Sequence, residues 1–240
     1  MSTHRARGTS SLPRRMLGIV RAPRDTLEAV AGAPRSAGVL AATFLVAVAA
    51  TAPVLETDTG RLALLDQLER TSSAFGQRVD DAQYAALEDV SESGLAYAVV
   101  TALLSGPVLA VALSGILFGA FRAAADGAAT YRQVLAVASH AGVILALRQV
   151  VAAPVVYARE TLASPVTLSL FFRMLDEDSA PARVAGLVDL FVLWWVGVLA
   201  VGMSVLYHRP ARRLAVIFVA TYMLLAILLA TAMMFTGGTA

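Results

Sequence analysis

Asp189 stands near the start of GLVDLFVLWWVGVLAVG (residues 186–202), a run with no other charge. His140 and Arg148 share a second apolar run. These three side chains are the ones whose types could do chemistry. An imidazole takes up and releases protons near neutral pH. A guanidinium holds an anion or pairs with a carboxylate, and a carboxylate accepts hydrogen bonds from backbone N–H groups. Inserting such a group costs about 2.5–3.5 kcal/mol at the centre of a bilayer and less near its edges. Each therefore calls for a reason. Acting together, the three would make a polar path for an ion or small molecule. Acting separately, they would be packing and interfacial devices.

Catalysis needs a positioned constellation, and the chain lacks the familiar ones. It has no G-x-S-x-G, H-E-x-x-H, Walker-type glycine loop or G-x-G-x-x-G. It has no cysteine, which excludes disulfides, thiol nucleophiles and cysteine-based metal sites. His4, His140 and His208 are widely dispersed for a metal site. Ser105, Ser114, Ser139 and Ser204 fall in apolar runs, where serine more often packs or bonds locally than attacks. No enzymatic activity, cofactor or metal is expected.

The elements that position these residues follow from composition. Of 240 residues, 58% are hydrophobic and 15% charged, against about 25% charged in a typical soluble domain. Mean hydropathy is +0.71. Apolar runs of roughly 20 residues mark membrane-spanning helices. Five are present, at about 37–55, 94–121, 133–157, 184–207 and 214–235. The fold expected is all-α: one five-span bundle over 36–236, with a disordered tail at 1–11 and an amphipathic juxtamembrane segment at 12–35. The first run is read as a span rather than a cleaved leader. It exceeds the 7–15 residues of a signal core, and a long polar region precedes it.

Arginines concentrate on alternate loops. Arg5, Arg7, Arg14, Arg15, Arg21, Arg24 and Arg35 precede the first span, Arg122 and Arg132 follow the second, and Arg209, Arg212 and Arg213 follow the fourth. The remaining loops are acidic or mixed, including the segment at 56–93 and Asp176, Glu177 and Asp178. The positive-inside rule then predicts the N-terminus inside and the C-terminus outside. The inner basic surface is assigned to Arg14, Arg15, Arg21, Arg209, Arg212 and Arg213. All 19 basic residues are arginine, a coding bias rather than a function, and the net charge of +2 is too small and scattered for nucleic acid.

Pro23 fits the first turn of a short helix, with Asp25 and Glu28 near its positive end and Leu27 and Val30 facing one way. Met16, Leu17, Ile19 and Val20 supply apolar surface upstream, which suits an element on the inner membrane surface. In the 56–93 loop, Leu62, Leu65, Leu68 and Phe75 recur at helical spacing, and Tyr84, Leu87 and Val90 do so again. Two amphipathic helices covering the outer mouth are expected. PVTLSLFFRML is too short to span and reads as an interfacial half-helix. Ala112, Gly115 and Gly119 form a small face on the second span, suited to close helix approach. It is expected to serve internal packing ahead of a homo-oligomer. Pro107 in the same span is expected to kink it.

At 1.5 Å per residue, Arg148 lies about 5 Å and Asp189 about 9 Å outward of the middle of their spans. Both fall in the outer half, so a pair is feasible. Side chains tilt toward their own helix N-terminus, however, which leans Arg148 inward and Asp189 outward. Separate solutions fit equally: Asp189 at the start of the fourth helix, Arg148 reaching the outer headgroups. His140 lies about 12 Å inward of Arg148, rotated by roughly 80°, with no polar relay between. A local hydrogen bond is expected for it. Trp194 and Trp195 are expected to be core or lipid-facing bulk.

Three stretches carry a resemblance. RMLGIVRAPRDTLEAVAGAP resembles the entry to the first span of bacterial Yip1-domain proteins. ATYRQVLAVASHAGVI resembles that family's entry to its third span. LVDLFVLWWVGVLAVGMSVLYHRPARR resembles its aspartate-phenylalanine-tryptophan entry to the fourth span, with glycines and a basic loop after it. Nearly the whole chain is covered; the long acidic first outer loop and the absence of lysine depart from the pattern. The resemblance implies a fold, a membrane location and a non-enzymatic role. Eukaryotic Yip1-type proteins bind small Rab-type GTPases in vesicle trafficking, and no residues here carry that partner over. The expected function is a scaffold or adaptor of the plasma or inner membrane. Its expected partners are the lipid bilayer, an unidentified protein and a second copy of itself. The alternative is a permease using His140, Arg148 and Asp189. That would call for matching broken helices in two halves, and no internal repeat is evident.

Overall fold

A computed structural model describes residues 11–77, 79–124, 129–159, 166–168, 185–186 and 188–237, without the side chains of Ala74 and 233–237. Two short helices, α1 (Leu12–Arg21) and α2 (Pro23–Gly32), lead into the first span, α3 (Ala37–Leu55). Two more follow, α4 (Asp58–Ala74) and α5 (Asp81–Glu92). The second span is interrupted: α6 (Gly94–Leu103), a π-helical turn at Leu104–Val108, then α7 (Leu109–Ala124). The third breaks at Gly142 into α8 (Tyr131–Ala141) and α9 (Val143–Arg159). The fourth is α10 (Leu190–Tyr207), and the fifth is α11 (Ala211–Gly237). All five spans are long and apolar enough to cross a membrane.

Local chemistry fixes the helix starts. Pro23 stands in the first turn of α2, where its missing N–H is no loss. The Thr57 and Asp80 side chains accept from Gly60 N and Gln83 N, opening α4 and α5. Thr130 and Gln133 form a reciprocal capping box that starts the third span. Pro107 explains the π-turn: it has no N–H to donate inside a helix, and the extra residue accommodates the gap.

The third span is central, with 56% of its apolar window buried, whereas the second and fifth are peripheral at 17% each. Val134, Val137, Ala141 and Ile144 from it meet Val198, Leu199, Ala200 and Met203 from α10. This core extends into the end of the bundle that carries α1 and α2. Ile19 and Leu27 are fully buried in it, so both short helices are docked on the bundle. Gly202 is required there: a Cβ would run into Val137 and press on Leu27. A smaller cluster at the opposite end joins Ala52, Leu55, Leu64 and Ala98, and Glu56 Oε1 accepts from Leu95 N at 2.8 Å at the start of α6.

Several expectations change. Ala112, Gly115 and Gly119 do not serve internal packing; all three are exposed, and a Cβ on either glycine would meet nothing within 4 Å. α7 turns the opposite face inward, burying Ala110, Ser114 and Leu117. In α4 the buried face is Ala63, Leu64 and Leu65, while Leu62 and Phe75 are exposed, because the helix is rolled toward the ends of the spans. α5 leaves Tyr84 and Val90 exposed and half-buries Leu87. In the PVTLSLFFRML stretch, Thr167 forms an extended bridge with Asp189 and residues 169–175 lie outside the described residues. Of the tail at 1–11 expected to be disordered, residues 1–10 lie outside them too, as do Asp176, Glu177 and Asp178.

Candidate functional site

Asp189 is the residue at which separate elements meet. It is not inside the fourth helix. It is the N-cap, with an extended backbone, and α10 begins at Leu190 rather than near 184. Its Oδ1 accepts from Phe191 N at 2.8 Å and from Val192 N at 3.4 Å, satisfying two amides that a helix start leaves free. Its Oδ2 accepts from Arg148 Nε at 2.6 Å. Its backbone N–H donates to the Tyr222 hydroxyl on α11 at 3.2 Å. The flanking backbone is clipped to the preceding loop, through Leu168 N to Val188 O at 2.9 Å and Leu190 N to Val166 O at 3.0 Å. The Asp189 carboxylate thus joins the third and fourth spans, and the backbone at and beside Asp189 adds the fifth span and the loop at 166–168.

The pair and the cap coexist. The tilt that leans helical side chains toward their N-terminus binds Arg148 but not an N-cap residue, whose side chain turns back onto its own helix. Asp189 lies about 14 Å from the middle of α10 at 1.5 Å per residue, near the α4–α5 end. The Asp189 side chain is 7% exposed and that of Arg148 28%. A buried carboxylate stays charged where an opposite charge and N–H donors surround it.

His140 does not join them. It is buried, and a ring N–H donates to Ala136 O one turn back at 2.8 Å. α1, which carries Arg15, packs against the helix that carries His140. The Arg15 Nε is buried without a hydrogen-bond partner among the described residues, which sets Arg15 apart from the exposed basic surface to which the sequence assigned it. Arg14, Arg21, Arg209, Arg212 and Arg213 are exposed at the same end of the bundle. His208, in the left-handed conformation at φ 50°, ends α10, and Ser204 Oγ closes the turn onto Arg209 O at 2.6 Å. A hollow of about 490 Å³ lies between this turn and α2, lined by Arg24, Ser204, His208 and Arg209.

The sequence missed Tyr222, because a tyrosine in a long apolar helix carries no periodic signal. It also missed a cavity of about 350 Å³ among the first four spans, walled in part by Arg148 and Trp195. The Yip1 domain family model matches residues 17–234, which takes in both ends of the bundle and every residue of the Asp189 site. No curated protein and no solved structure matches the chain.

Proposed function

The chain belongs to the Yip1 domain family, and from that premise we propose that it is a non-enzymatic scaffold or adaptor of the plasma or inner membrane. Its α1–α2 end faces the cytoplasm and meets a partner protein or anionic lipid. The orientation rests on the positive-inside rule. The observation that carries the role is the basic platform at that end. Arg14, Arg21, Arg209, Arg212 and Arg213 are exposed and have no acid partner among the described residues, whereas Arg24 is paired with Glu28 at 3.1 Å. The platform is held in shape, because Ile19, Leu27 and Val30 anchor α1 and α2 in the bundle. Clustered arginines near a membrane surface attract anionic headgroups at about 1 kcal/mol per charge.

A permease built on His140, Arg148 and Asp189 receives less support. Arg148 and Asp189 hold each other and the helix start, and His140 is bonded back to its own helix. The test is extraction into native-lipid discs of the wild type and of a variant with all five platform arginines changed to glutamine. Lipid mass spectrometry and protein identification follow. The expected result is loss of a specific anionic lipid or protein with melting unchanged. Retention of the same lipids and proteins by the variant would sink the proposal.

A further inference from the structure

The cavity among the first four spans has no part in the platform just described. Its walls are largely apolar, including Leu40, Leu109, Leu113, Leu145 and Val192. Three hydroxyls line it, and each already donates along its own helix: Thr43 to Val39 O at 2.9 Å, Ser105 to Thr101 O at 2.7 Å, Ser139 to Leu135 O at 2.6 Å. Other donors on the wall are unspent. Gln149 makes no side-chain hydrogen bond among the described residues, and Arg148 uses only its Nε, on Asp189. Among the described residues no carboxylate lines the cavity.

The same cavity is bounded by both interrupted helices. Ser105 and Gly106 belong to the π-turn, and Gly142 is the break in the third span. Such interruptions within membrane helices often mark functional sites. Ser105 and Leu109 on the wall are exposed, so the cavity opens toward the lipid beside the second span.

We propose that this cavity binds an apolar molecule with an uncharged, carbonyl-bearing end, entering from the bilayer. The polar end accepts from Gln149 and the N–H groups of Arg148 not used on Asp189, and the chain leaves by the lipid-side opening. The absence of charge follows from Asp189, which already balances Arg148. A second anion beside that pair would leave net charge in a low-dielectric site. The volume is at the small end of the 300–1,000 Å³ typical of ligand pockets, enough for a head but not a long tail. Two sources supply this chemistry: the ester carbonyls of a bilayer lipid and the ring carbonyls of an isoprenoid-type quinone.

The test is native mass spectrometry of the full chain released from detergent. Dioctanoylglycerol, a decyl-substituted benzoquinone and decanoate are titrated separately. One equivalent of a carbonyl probe is expected to remain bound. Quinone alone assigns the site to quinone, diacylglycerol alone assigns it to lipid, and both show that the carbonyl decides; each outcome supports the proposal. Gln149→Leu is expected to weaken binding about 3- to 10-fold, from one hydrogen bond. Gly106→Leu is expected to abolish binding with melting unchanged, since a Cβ there meets nothing within 4 Å. Retention of neither carbonyl probe, tighter binding of decanoate, or binding by Gln149→Leu and Gly106→Leu equal to that of the wild type would overturn it.

Discussion

Asp189 does two jobs with two oxygens, and its variants should separate them. Asp189→Asn keeps an acceptor for Phe191 N and removes the charge opposite Arg148. Asp189→Ala removes both, leaving uncapped amides and a poorly compensated guanidinium. Loss of a cap costs about 0.5–2 kcal/mol, and breaking a buried pair by removing one partner about 3–5 kcal/mol. Arg148 is partly exposed, so the lower part of that range applies. The expected order of destabilisation in detergent unfolding is Asp189→Ala at about 3–4 kcal/mol, then Arg148→Met, then Asp189→Asn at about 1–2 kcal/mol. Arg148→Met is milder than Asp189→Ala because the carboxylate keeps its helix amides. Equal, small losses for all three would show that the node carries no stability. The residue types of this pair were legible, since two opposite charges stood in the same half of the bilayer. Their contact was not: it turned on Asp189 lying one residue before the helix rather than inside it.

At the scale of elements, two glycine positions of similar appearance behave oppositely. Gly202 lies where α10 crosses the third span, under Val137 and Leu27. Gly202→Val should overpack that crossing and destabilise by about 1–3 kcal/mol. Gly115→Val places its side chain in open space on α7 and should change unfolding by less than about 0.5 kcal/mol. Thermal melting of the two purified variants checks the contrast; a larger loss at Gly115 would mean that α7 is covered by another chain. The sequence marked Gly115 and Gly119 as the packing face because their spacing is that of close helix pairs. Spacing states that a helix has a small face. It does not state which way the helix is turned, and α7 is turned by burial of Ala110, Ser114 and Leu117 on its other side.

For the whole molecule, the two ends of the bundle differ in charge, and their sides can be assigned directly. The chain has no cysteine, so single cysteines are clean reporters. Arg212→Cys lies at the α1–α2 end and Ser72→Cys in α4 at the other. In intact cells an impermeant maleimide should label Ser72→Cys only, and Arg212→Cys should react after permeabilisation. The reverse pattern would place the basic platform outside and remove the basis for a cytoplasmic partner. Five spans, their approximate ends and the family were determined by the sequence alone, because apolar length and loop charge are local quantities that a bilayer reads directly. The tertiary structure decided which span is central, which face of α7 is turned inward, that Arg148 and Asp189 meet, and that two interrupted helices enclose a donor-lined cavity. All of these depend on helix rotation and on contacts between residues distant in the chain. In a bundle whose helices are apolar on every side, hydrophobic periodicity does not fix that rotation.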